Sequence, residues 1–129
     1  PIIFAEGDIW RYFEGYSYPG DGWNNVGFAT GADWKTGPAG IGFGDGDDAT
    51  VLDMDNRYTT VYMRYRFDIP APADITGMKF KVDYDDGFVA YLNGREVMRR
   101  GVPEGARQCD HRIDRRRRHI GGELATSLA

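Results

Sequence analysis

Four aromatic residues in one irregular stretch offer the clearest chemistry in the chain. Tyr16, Tyr18, Trp23 and Trp34 fall between Glu14 and Gly46, where glycine, proline and aromatics alternate with no sustained period of two or 3.6. The C–H faces of a sugar pack on aromatic rings, and such rings bring large contact area at low entropy cost. Asp21, Asn24 and Asn25 lie among them and could exchange hydrogen bonds with hydroxyl groups. The same rings could instead pin the loop to a sheet beneath it. A second cluster is acidic: Asp45, Asp47 and Asp48 flank Gly46, with Thr50, Asp53 and Asp55 close behind. Calcium takes six to eight oxygens and could draw several from such a turn, so Asp45, Asp47 and Asp48 are the metal candidates. The pattern is not an EF-hand, because the glycine falls second and Asn56 takes the twelfth position. A solvated acidic turn is the competing reading, and Asp85-Asp86 is a weaker second candidate.

No catalytic set emerges, and the chain is read as a non-enzyme. Ser17 and Ser127 have no base in a recognisable arrangement, and Cys109 has no fixed partner. Zinc ligation by Cys109, Asp110, His111 and His119 would lack a paired cysteine motif. The run Arg115–Arg118 could bind polyanions or stand as a solvated patch.

These residues must be positioned by strands. The 129 residues suffice for one domain that buries a core without disulfides. Eighteen glycines and few helical runs suit a β-sandwich or barrel. Ile2–Ala5 and Ile9–Phe13 read as strands around a turn at Glu6-Gly7-Asp8. Residues 14–46 read as a long ordered loop whose aromatics pack on a sheet. Gly40–Gly44 reads as a short strand whose glycines permit close backbone approach.

In Thr59–Ile69, Val61, Met63, Tyr65 and Phe67 alternate with Tyr62, Arg64, Arg66 and Asp68, as in a half-buried antiparallel strand. Met78, Phe80, Val82 and Tyr84 alternate in the same way. Asp85-Asp86-Gly87 and Asn93-Gly94 then close two hairpin corners, the second a type I′ loop. Across that second corner Leu92 faces Arg95, Tyr91 faces Glu96, Ala90 faces Val97 and Val89 faces Met98. This predicts a ribbon covered on both sides.

Charge is split. Residues 1–98 hold 8 Lys/Arg against 16 Asp/Glu, whereas 99–129 hold 8 Arg against 4 acids. An acidic body argues against nucleic acid or an anionic membrane as partner. No apolar run is long enough to span a bilayer, and no signal peptide is evident. The start at Pro1 suggests a mature product or an excised module.

Trp10-Arg11-Tyr12, Trp23, Trp34, Ala39–Gly44, Tyr62–Phe67, Asp85-Asp86-Gly87 and Tyr91–Val97 occur in that order. The series, over residues 3–103, resembles the galactose-binding-domain-like jelly-roll modules of secreted or surface proteins of environmental bacteria. The resemblance implies an all-β fold, an antiparallel β-sandwich of eight strands, and non-catalytic glycan binding at the cell surface or outside it. It also favours a structural calcium. Residues 104–129 depart from the family: its last core strands are missing, and an arginine-rich basic tail stands in their place. That tail has the composition of a GC-rich gene read out of frame, or it is a divergent, partly disordered extension. A sandwich without its last strands leaves an open groove for the tail itself, a second copy or a neighbour's strand. The expectation is therefore a poly- or oligosaccharide-binding module, with a homo-oligomer or assembly module pairing through the open sheet edge as the alternative.

Overall fold

The computed structural model describes residues 2–44, 46–74, 76–84 and 87–104, with backbone alone for 72 and for 121–128. The described residues are all-β apart from one 3₁₀ turn, Pro72–Asp74. Its strands are β1 (Ile9–Glu14), β2 (Lys35–Pro38), β3 (Ile41–Gly42), β4 (Thr50–Val51), β5 (Thr60–Phe67), β6 (Gly87–Leu92), β7 (Arg95–Arg100) and β8 (Gly121–Leu128). Six of them form one sheet in the order β2-β1-β5-β8-β6-β7, and β3 and β4 form a small parallel pair.

Pairing is antiparallel for β1 with β2, β1 with β5 and β6 with β7, in keeping with the expected sandwich strands. The sheet is mixed, however, because β8 runs parallel to both β5 and β6. This strand comes from the basic tail. Of the three occupants expected for an open groove, the tail itself lies between β5 and β6. Its register sets Gly122 beside Val61 on one flank and Phe88 on the other.

Period-two alternation sorts the main sheet into two faces. Trp10 and Tyr12 share one face with Val61, Met63, Tyr65, Phe88 and Ala90, and the β3–β4 segment packs against it through Ile41, Phe43, Leu52 and Met54. Phe13 and Arg11 share the other face with Tyr62 and Arg64, beneath the aromatic loop. Both faces of β5 are thus covered, and the expectation of a half-buried strand is corrected: Tyr62 and Arg64 are buried as well as Val61.

Residues 78–84 join no sheet, contrary to the strand predicted there. Their alternation still aims inward, since Phe80 and Val82 pack on the Trp10 cluster and Tyr84 meets Phe88 edge-on at 4.7 Å. Ile2–Ala5 likewise joins no strand, but Phe4 packs edge-to-face on Trp10 at 5.2 Å. In the hairpin, Asn93 (φ 53°) and Gly94 (φ 80°) make the expected I′ corner, and Leu92–Arg95 and Tyr91–Glu96 pair as predicted. A bulge then shifts the register, so that Ala90 meets Met98 and Val97 is left 56% exposed. Burial on both sides holds for β6 alone, because β7 is a largely exposed edge. The Asp85-Asp86 corner, Cys109, His111, His119 and Arg115–Arg118 lie outside the described residues. No helix among the described residues is long and apolar enough to cross a membrane.

Candidate functional site

The aromatic loop divides its rings between anchor and surface. It is a chain of turns, closed by Trp23 N–H to the Gly20 carbonyl, Asn25 N–H to Gly22 and Trp34 N–H to Gly31. Trp23 is only 3% exposed and meets Tyr62 and Tyr91 edge-on at 5.0 and 5.8 Å. It is therefore a core residue and offers no face to a ligand, which corrects its place among the sugar contacts. Trp34 is half-buried between Phe13 and Phe28. Tyr16 and Tyr18 stand out at 58% and 37% exposure, with Tyr16 against Tyr58 at 4.5 Å and Tyr18 edge-on to Tyr62 at 6.1 Å. Asp21 is exposed and Asn24 half-buried.

Asn25 has a structural task. Its side chain lies against Gly94 of the β6–β7 corner, and its carbonyl accepts a hydrogen bond from Arg64 Nη2 at 2.8 Å. Arg64 Nη1 donates to the Trp23 carbonyl, and the guanidinium sits 5.5 Å from the Phe28 ring centre. One buried arginine thus pins the loop from below. Burial, followed by the nearby Arg11, lowers its pKa from the ordinary value.

Of the acidic cluster, Asp45 lies outside the described residues, and Asp47 and Asp48 sit at the rim of a hollow on the Trp10 face. The Asp48 carboxylate is tucked against Gly42, where a Cβ would come within 2.7 Å of Oδ1. The glycine is needed for that approach, as the sequence suggested. Among the described residues no three His, Cys, Asp or Glu side chains converge on a point that could hold a metal ion.

The hollow encloses about 820 Å³, within the range of small-ligand sites. Phe4, Trp10, Met63, Phe80 and Phe88 lie along its inner lining. Glu6, Asp47, Asp48, Lys81 and Asp83 bring charge to it, four acids against one base. Trp10 Nε1 is buried with no hydrogen-bond partner among the described residues. The alternation over residues 80–84 predicts a sheet strand, whereas this stretch forms a wall of the hollow. The inward alternation of Phe80, Val82 and Tyr84 was the available signal. Neither a family model, a curated protein nor a solved structure matches the chain.

Proposed function

We propose that the chain is a non-catalytic carbohydrate-binding module of galactose-binding-like jelly-roll type, belonging to a secreted or surface protein, and that the sugar occupies the hollow on the Trp10 face. The observation that carries this reading is the pairing of an aromatic lining with hydrogen-bonding carboxylates around one open cavity. Of the lining rings, Phe4, Phe80 and Tyr84 keep accessible surface and take the C–H side of a pyranose, while the carboxylates accept from its hydroxyls. The excess of acids around the hollow disfavours anionic ligands and selects a neutral glycan. Tyr16 and Tyr18 remain exposed and serve as the alternative platform.

Affinity electrophoresis through neutral polysaccharides tests the reading. Retardation is expected to weaken several-fold in Asp83→Ala and Asp47→Ala, both exposed, and to persist in Tyr18→Ala. Failure of every neutral polysaccharide to retard the protein refutes the function. Loss in Tyr18→Ala with the two rim variants unaffected refutes the hollow as its seat. The assembly alternative is not favoured. The β7 edge carries Arg95, Glu96, Arg99 and Arg100 and is broken by the Val97 bulge, devices that oppose edge-to-edge pairing.

A further inference from the structure

Although acids outnumber bases two to one in residues 1–98, three arginines gather on the sheet face opposite the hollow. Arg11 stands directly across from Arg64 in the β1–β5 ladder, and Arg66 lies two residues further along the same face. Like charges directly opposite on neighbouring strands destabilise a sheet. Arg64 is 9% exposed, so its charge is also largely removed from water. Its donors reach two carbonyls and its plane faces Phe28, but none of these partners carries a formal negative charge. Arg11 Nη1 donates to Thr30 Oγ1, a neutral partner too. Arg66 is exposed and makes no hydrogen bond or ion pair among the described residues. By contrast Lys35, Arg57 and Arg99 each meet a carboxylate.

The three arginines line a cleft of about 520 Å³ together with Val26, Phe28 and Thr30, and no described residue lining it is acidic. We propose that this cleft binds an oxyanion (a sulfate, phosphate or carboxylate group) held by the free N–H groups of Arg11 and Arg66. Guanidinium forks match the oxygen spacing of such groups and bind them bidentately. Arg64 contributes fixed positive charge from behind, its guanidinium held in place by the Trp23 and Asn25 carbonyls. Thr30 accepts from Arg11 through its hydroxyl oxygen, which leaves the hydroxyl proton for the bound anion. The anion would supply the counter-charge missing from the Arg11–Arg64 pair.

The test is thermal unfolding of the whole chain, titrated with sodium sulfate, phosphate or acetate against chloride at constant ionic strength. At least one of these ions is expected to raise Tm saturably. Arg66→Gln and Arg11→Gln, both at exposed positions, are expected to weaken half-saturation at least tenfold, and Arg66→Lys less. Excluded salts stabilise proteins without saturating. A linear response equal in wild type and both variants overturns the proposal, as does a saturable response that neither variant alters. Glucuronate compared with glucose distinguishes sources: a glucuronate response lost in Arg66→Gln identifies a sugar-borne carboxylate, and a response confined to inorganic ions identifies a free anion. Because Asp83→Ala leaves this cleft untouched, the result stands or falls apart from neutral-glycan binding in the hollow.

Discussion

Replacing Arg64 with methionine removes the charge that pins the aromatic loop while leaving an unbranched apolar stem. The Trp23 carbonyl is buried, so losing its donor costs about 1–3 kcal/mol of unrecovered desolvation. The Asn25 carbonyl belongs to an exposed residue and can turn to water, which limits its loss to about 0.5–1.5 kcal/mol. The contact over Phe28 adds about 0.5–1 kcal/mol. Against these, relief of the Arg11–Arg64 opposition returns up to about 1 kcal/mol. The expected net loss is about 2–4 kcal/mol, a large share of the ~5–15 kcal/mol typical of a domain. Urea unfolding at pH 7 should move the midpoint down with the slope unchanged. Native tryptophan emission should shift to the red as the cover over Trp23 loosens. Arg64→Lys should fall between, because an ammonium keeps the charge but lacks the fixed fork whose two nitrogens reach the Trp23 and Asn25 carbonyls. A loss below about 1 kcal/mol, or a gain, would refute the pinning role and leave Arg64 as a tolerated burden.

Three further outcomes follow from the same fold. Burial, and then Glu14, raise the Tyr58 hydroxyl above its ordinary pKa of 10.0. The folded chain therefore holds this proton where the unfolded chain has lost it, so the contribution is intact below about pH 10 and disappears as pH rises beyond it. Tyr58→Phe should flatten the fall of Tm between pH 9 and 11, and an unchanged slope would contradict the assignment. Gly94→Ala should cost about 1–3 kcal/mol in chemical denaturation, because its φ of 80° disfavours a side chain and its Cβ would strike Asn25 Oδ1. Val97→Thr should change stability by less than about 0.5 kcal/mol, since the bulge leaves the residue on the surface; a core-sized loss would restore the unbulged register.

What the sequence could and could not tell is clearest in β5. Alternation in Val61–Phe67 correctly states which side chains share a face, because strand geometry fixes it locally. Whether a face is covered depends on distant chain. Tyr62 and Arg64 are buried by a loop whose path is set by turns at Gly20, Gly22 and Gly31, and no period within β5 encodes that cover. The I′ corner at Asn93-Gly94 was legible because two adjacent residues suffice to define it, whereas the Val97 bulge depends on how β7 settles against its neighbour. Trp23 and Tyr18 illustrate the same limit. Both are aromatic and both lie in one loop, but the first is 3% exposed between Tyr62 and Tyr91 and the second stands 37% exposed beside Tyr62. Composition makes them equals, and three-dimensional closure separates them.

The arginine cleft takes this reasoning one step further. Arg64 and Arg66 can be placed on one face from spacing alone, but Arg11 joins them only through the β1–β5 register. Once that register is known, three cations without a carboxylate partner among the described residues stand together in a cleft that no described acid lines. The opposition of Arg11 and Arg64 costs the sheet up to about 1 kcal/mol, which a bound anion would offset. The cleft should therefore be the place where a ligand most changes the stability of the sheet.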